Sequence, residues 1–209
     1  MYSRLQYISQ GGTAAEQEIN IRQALDAGCG WIQLRFKGAC ERELTFLAEK
    51  VKALCAHYQA TFIVNDHPAI AAKVEADGTH LGLSDMKIAE ARALLGGKII
   101  GGTANTTEDA LRRAAEGCDY IGLGPFRFTA TKEKLSPVLG PEGYRRIMGE
   151  LGRGNVTVPV YAIGGIRAAD VKAIMETGVY GIAVSGAITG HANKKELIKE
   201  LNKYLYEYA

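Results

Sequence analysis

No apolar run in this 209-residue sequence approaches the roughly 20 residues that a bilayer-spanning helix requires, which argues against a helical membrane protein. The opening residues Met1-Tyr2-Ser3-Arg4-Leu5-Gln6 also lack the apolar core of a secretory signal, so a cytoplasmic location is expected. Cysteine is sparse. Cys29, Cys40, Cys55 and Cys118 form no Cys-x-x-Cys and no close Cys/His pairing, which disfavours structural zinc and fits a reducing compartment. Cys29 and Cys118 stand beside strand starts and read as small buried hydrophobes. Charge of one sign is lacking too. With 25 Lys and Arg against 23 Asp and Glu, a net +2 gives no reason to expect nucleic acid or an acidic membrane surface as partner. There is no linker, low-complexity tract or charge block, so residues 1–209 read as one domain. No Ser-His-Asp or Cys-His arrangement stands out, which disfavours covalent acyl chemistry.

What is present is an ordinary globular composition, 47% hydrophobic and 23% charged, able to bury a core without staples. One junction recurs. Ala27-Gly28-Cys29-Gly30-Trp31-Ile32 resembles Glu116-Gly117-Cys118-Asp119-Tyr120-Ile121 and Thr177-Gly178-Val179-Tyr180-Gly181-Ile182, with Glu75-Ala76-Asp77-Gly78 as a looser form. Each reads as a helix end, a glycine free to take positive φ, then a short buried strand. Further apolar runs at Arg4–Ile8, Thr61–Asn65, Lys98–Gly102 and Val158–Ile163 bring the strand candidates to eight. Between them lie helical faces: Leu44, Leu47, Val51 and Leu54; Ile88, Ala91, Leu94 and Leu95; Tyr144, Ile147, Met148 and Leu151; Leu197, Leu201 and Leu205. Thr106 with Asp109 reads as a capping start, and Gly152-Arg153-Gly154-Asn155 as a helix-to-strand loop. Alternating strands and helices imply a parallel sheet covered on both faces. An open doubly wound sheet is the alternative, but the count of eight favours a single-domain (β/α)8 TIM barrel.

In such a barrel, chemistry belongs at the carboxyl ends of the strands. The second candidate strand ends Gln33-Leu34-Arg35-Phe36-Lys37, and alternation puts Gln33, Arg35 and Lys37 on one side. These cations either meet an anionic ligand or tie the strand to a neighbouring helix. The third ends Asn65-Asp66-His67 and the fourth leads into Gly82-Leu83-Ser84-Asp85. Asp66 and Asp85, from adjacent strand ends, could share Mg2+, which prefers one or two carboxylates plus phosphate oxygens; otherwise both cap the following helices. His80, inside a strand, reads as a satisfied core histidine, while His57 and His191 read as surface residues. The fifth strand ends Gly101-Gly102-Thr103-Ala104-Asn105, with no side chain to keep a ligand away from the backbone. Gly164-Gly165 and Val184-Ser185-Gly186, after the last two strands, suit a backbone-lined phosphate cup, or else are tight turns needing glycine. The loop after the sixth strand, Gly124-Pro125-Phe126-Arg127-Phe128-Thr129-Ala130-Thr131-Lys132, offers two hydroxyls and an ammonium, suited to a pyrophosphate or to plain solvent.

Taken as a set, Gln33-Leu34-Arg35-Phe36-Lys37, Asn65-Asp66, His80-Leu81-Gly82-x-x-Asp85, Gly124-Pro125-x-x-x-Thr129-x-Thr131-Lys132, Ile163-Gly164-Gly165-Ile166 and Val184-Ser185 resemble the thiamine-phosphate synthase and thiazole tautomerase family over nearly the whole chain. The resemblance implies an enzyme joining hydroxymethylpyrimidine diphosphate to hydroxyethylthiazole phosphate, with small phosphorylated substrates as its partners and a homo-oligomer as a common state. It implies that Arg35, Lys37, Asn65 and Lys132 hold the diphosphate, that Asp66 and Asp85 bind Mg2+, and that Gln33 and Thr103 contact the pyrimidine. Thr129 and Thr131 would lie over the thiazole, with its phosphate on Gly164, Gly165, Val184 and Ser185. The chain departs from the family pattern at Leu83, usually glutamine, at Thr103-Ala104-Asn105, commonly Ser-x-His, and at Ser9-Gln10, usually Thr-Asp. The tautomerase branch depends on the histidine replaced by Asn105 and generally lacks the Thr-x-Thr-Lys loop, so both features favour the synthase branch. A thiazole-phosphate tautomerase, a non-catalytic paralogue that binds the thiazole phosphate or thiamine phosphate, and a generic sugar-phosphate isomerase, which would explain the late glycines but not Lys37 and Lys132, remain the alternatives.

Overall fold

The structure, a computed structural model, describes residues 2–128 and 137–207, so Thr129, Thr131 and Lys132 lie outside the described residues. The strands are β1 (Leu5–Ile8), β2 (Trp31–Leu34), β3 (Thr61–Asn65), β4 (Gly78–Leu81), β5 (Ile99–Ala104), β6 (Tyr120–Leu123), β7 (Val160–Ile163) and β8 (Gly181–Val184). Each pairs in parallel with the next, and β8 returns to β1 through Leu5 opposite Ile182 and Tyr7 opposite Val184, which closes the barrel. Around it run α1 (Ala14–Asp26), α2 (Glu41–His57), α3 (Pro68–Lys73), α4 (Ile88–Leu95), α5 (Thr107–Ala115), α6 (Gly140–Arg153), α7 (Val171–Met175), α8 (Gly186–Thr189) and α9 (Lys194–Glu207).

The recurring junction has a local cause. Gly28, Gly117 and Gly178 take φ of 96°, 80° and 88°, where a Cβ is strained. The next amide then reaches back to a carbonyl of the last helical turn, as in Cys29 N–H to Ala24 O (3.0 Å) and Cys118 N–H to Arg113 O (3.1 Å). That contact stops the helix and aims the chain into a strand. In the looser copy the same place is held by Glu75 at φ 53°, with Ala76 N–H on Ala71 O (2.9 Å). Thr106 accepts the amide of Asp109, capping α5 as expected.

Strand alternation sorts the side chains into two cores. The outward set, including Tyr7, Ile32, Leu34, Phe62, Val64 and Ile121, packs beneath the helices. The inward set, Trp31, Ile63, Tyr120 and Tyr161, fills the barrel's amino-terminal half. Its rings meet edge to face at centroid distances of 5.1 to 5.6 Å. Some expectations need correction: Lys98 precedes β5, and Val158 and Pro159 precede β7. Arg4 precedes β1, with its guanidinium on Tyr180 O (3.0 Å) and its carbonyl still accepting from Ile182 N–H (2.8 Å). Leu94 is exposed, so the buried face of α4 is Ile88, Ala91 and Leu95. Gly152 and Arg153 complete α6 rather than begin the loop.

Candidate active site

Above the aromatic layer the inward residues become polar, and they converge on the carboxyl-terminal mouth. Gln33 is buried inside the barrel, while Leu34 points into the outer core and Phe36 packs against it. Arg35 follows the end of β2 with its backbone held on both sides: its N–H donates to Ser9 Oγ (2.9 Å) and its carbonyl accepts from Gln17 Nε2 (3.2 Å). Burial lowers the Arg35 pKa from its ordinary value, and the charge of Asp66 opposes that shift. Lys37 stands exposed three residues beyond the strand.

Asp66 adopts φ 63°, an uncommon conformation for a residue with a Cβ, and its amide donates to His80 O (2.8 Å) across to β4. Its side chain is hydrogen-bonded to Asp85, so the two carboxylates expected to meet do meet. Burial first, then the hydrogen bond and charge of Asp85, push the Asp66 pKa from 3.8 up to about 7; Arg35 and Asn65 oppose the rise. Asp85 Oδ2 also accepts the Gly82 amide (2.6 Å), closing the turn after β4. Neither aspartate caps a helix: the cap positions of α3 and α4 are His67 and Lys87, without side-chain cap bonds. Two like-charged groups pressed together must share a proton or a cation, and a hard cation completed by ligand oxygens suits this pair. No cluster of three or more metal-binding side chains exists among the described residues.

Thr103 lies at the end of β5, half-buried, with its Oγ1 3.0 Å from His80 Nε2. His80 Nδ1 lies 3.0 Å from the Tyr120 hydroxyl, which accepts from Gln6 Nε2 (3.3 Å). Gln33 Nε2 donates in turn to Gln6 Oε1 (3.0 Å). His80 is therefore a satisfied interior histidine, as its strand position suggested. Behind the strands, the buried Arg113 of α5 donates to Thr103 O (3.2 Å), Gly82 O (2.7 Å) and Glu116 (2.8 Å), locking the ends of β4 and β5 together.

On the opposite side, Gly164 and Gly165 take φ of 94° and 69° after β7, and Val184-Ser185 leads from β8 into the short α8. The segment after β6 packs on the glycine turn. Phe126 N–H donates to Ile163 O (2.8 Å), and Arg127 N–H to Gly164 O (2.9 Å). The Arg127 guanidinium makes two 2.9 Å bonds to Asp170 and a third, 2.6 Å, to Gly165 O. Leu139 and Gly140 return to Pro125 O (2.9 Å) and Phe126 O (3.1 Å), so the flanks of the Thr129–Lys132 stretch are fastened at one place. Asn105 donates its side-chain amide to Gly124 O, joining the ends of β5 and β6.

Sequence reasoning missed Gln6, Arg113, Tyr120, Arg127 and Asp170 as parts of this mouth. Alternation in β1 and β6 would have turned Gln6 and Tyr120 inward. Nothing local marks the role of Arg113, whose two carbonyl partners lie 10 and 31 residues away.

Residues 6–188 match the family model described as thiamine monophosphate synthase. A thiamine-phosphate synthase of Flavobacterium johnsoniae is 58% identical over 207 residues, 99% of this chain and 98% of the relative. That of Flavobacterium psychrophilum is 60% identical over 206 residues, 98% of this chain and all of the relative. Among solved structures, thiamine phosphate pyrophosphorylase from Pyrococcus furiosus superposes with a TM-score of 0.85 at 33% identity, covering 98% of this chain and 96% of that one.

Proposed function

The chain belongs to the thiamine monophosphate synthase family, and on that premise we propose that it acts as a thiamine-phosphate synthase. It joins hydroxymethylpyrimidine diphosphate to hydroxyethylthiazole phosphate and releases pyrophosphate. The observation that carries this reading is the contact between Asp66 and Asp85 with the half-buried Arg35 beside Asp66. That grouping suits a diphosphate bound with a hard cation, and a sugar-phosphate isomerase would have no use for it.

Asp66 and Asp85 are the residues that would hold Mg2+, and the ion, when bound, neutralises charge on the diphosphate. Arg35, Lys37 and Asn65 hold the same group from the β2 and β3 ends, with Lys132 reaching it from the segment after β6. As the carbon–oxygen bond to the diphosphate breaks, its electron pair leaves with the pyrophosphate, whose growing charge these cations stabilise. The pyrimidine-methyl cation left behind is captured by the thiazole nitrogen, forming the new carbon–nitrogen bond. No side chain acts as nucleophile; rate comes from charge stabilisation and from holding the two substrates in line. Gln33 and Thr103 contact the pyrimidine, Thr129 and Thr131 lie over the thiazole, and Gly164, Gly165, Val184 and Ser185 cradle its phosphate. Magnesium dependence, a cytoplasmic location and a homo-oligomeric state belong to the same proposal. No helix among the described residues is long and apolar enough to cross a membrane.

The tautomerase alternative needs a base where Asn105 stands, and Asn105 instead ties two strand ends together. Incubation with both substrates and Mg2+ tests the proposal, with pyrophosphate and thiamine phosphate as readouts. Tight thiazole-phosphate binding without product would overturn it in favour of a binding protein. Conversion of a thiazole isomer without the pyrimidine would favour the tautomerase.

A further inference from the structure

One buried polar chain crosses the barrel: Gln33, Gln6, Tyr120, His80, Thr103, each side chain within 3.0 to 3.3 Å of the next. Four of the five are nearly or fully buried, and only Thr103 opens to the mouth. Two glycines make room for it. A methyl group on Gly101 would stand 2.2 Å from Tyr120 Cζ, and one on Gly122 would stand 3.0 Å from His80 Cε1. Inward positions that could have carried packing side chains are left empty so that a tyrosine and a histidine fit.

Donor and acceptor capacities give this chain a direction. Gln33 donates to Gln6 Oε1, so the Gln6 amide nitrogen faces Tyr120 and donates to its oxygen. With the Gln6 amide donating to its oxygen, the phenol's own proton finds its acceptor in the other neighbour, His80 Nδ1. A neutral imidazole accepting at Nδ1 carries its hydrogen on Nε2 and donates it to Thr103 Oγ1. Thr103 then accepts from His80 with one lone pair, and its hydroxyl hydrogen is directed away from His80, toward the mouth. This polarity leaves no buried side-chain atom of the chain without a partner.

We propose that Tyr120 and His80 are positioning residues that keep the Thr103 hydroxyl hydrogen turned to the mouth as a donor, so that the site favours a heteroaromatic ring presenting a nitrogen lone pair there. The inference rests on the synthase reading only for the identity of that ring, the pyrimidine. A ring with C–H in place of that nitrogen leaves the Thr103 hydrogen unpaired, and the buried chain has no second arrangement that turns this hydrogen inward to His80 without reversing the bonds behind it.

Nitrogen NMR of the histidine-labelled protein tests the direction without substrate. A pyridine-type signal at His80 Nδ1 and a pyrrole-type signal at Nε2 are expected; the opposite tautomer, or an imidazolium at neutral pH, overturns the proposal. Kinetics then separate positioning from packing. Tyr120→Phe keeps the ring and removes the hydroxyl. It should raise KM for the pyrimidine diphosphate about tenfold, the order expected for one misdirected hydrogen bond, and leave KM for the thiazole phosphate unchanged. Thr103→Val should lose as much as Tyr120→Phe or more. Equal changes in both KM values, or none, would sink the relay while leaving the synthase reading intact. A wild-type protein that releases no pyrophosphate would instead refute the synthase reading, and the tautomer measurement would still decide the relay.

Discussion

Arg127 grips Asp170 with two parallel bonds of 2.9 Å while a third reaches Gly165 O, so one guanidinium fastens the segment after β6 to the glycine turn after β7. Bidentate geometry fixes orientation as well as distance. The two regions assigned to the two phosphorylated groups therefore share a mechanical joint. Replacing Arg127 and Asp170 singly and together by alanine should show a coupling of about 1 kcal/mol or less in urea unfolding, because the pair is partly solvent-exposed. Its larger effect should be a raised KM for the thiazole phosphate. A double-mutant cycle with zero coupling and unchanged KM would remove the joint from consideration.

Gly165 takes φ 69°, and a Cβ there would stand 2.9 Å from Arg127 Cβ. Gly165→Ala should cost about 1–2 kcal/mol of stability for the left-handed backbone alone. It should also weaken thiazole-phosphate binding more than pyrimidine-diphosphate binding, which calorimetry with each substrate separately would resolve.

For Asp66 the folded pKa, about 7, lies above the ordinary 3.8. Between those values the folded chain keeps a proton that the unfolded chain has released, so the contribution of this group to stability is full below pH ~4 and is lost as pH rises through 7. Asp66→Asn removes that slope. Compared with wild type, the variant should gain relative stability between pH 5 and pH 7.5 in metal-free buffer; parallel Tm curves would contradict the shared proton.

Lys132 carries the remaining charge proposed for the diphosphate. Lys132→Ala should slow pyrophosphate release by about two to three orders of magnitude, the loss expected for one preorganised charge-stabilising donor. Single-turnover rates give the answer, and wild-type speed would rule the residue out of the chemistry.

Repeating junctions and strand alternation made the barrel readable before any coordinates, because helix stops and buried strands are decided within about ten residues. The Asp66–Asp85 meeting was readable for the same reason: both follow strands that are neighbours once the barrel closes. Arg113, by contrast, bonds carbonyls of two strand ends from the helix behind them, and Arg127 finds its partner 43 residues away. Such contacts depend on three-dimensional distance between loops, which periodicity does not encode. The loop Thr129–Lys132, conspicuous in sequence, lies outside the described residues, and its roles rest on the sequence pattern. Glu75 shows the opposite case, a side chain in a place that elsewhere takes glycine, where hydrogen bonding of the helix end outweighs local preference.

Trp31, Ile63, Tyr120 and Tyr161 are wholly solvent-inaccessible, and Tyr2 stacks near Trp31 at 5.3 Å beneath them. Among the described residues these side chains close the barrel's amino-terminal end, which leaves the carboxyl-terminal mouth as the way in. Two substrates must arrive, and two products depart, by the same route. A pyrimidine seated deep against Thr103 would be trapped under a thiazole resting on the rim at Gly165, so traffic through this doorway should be sequential: the deeper guest in first, and no exchange of it while the shallower one is seated.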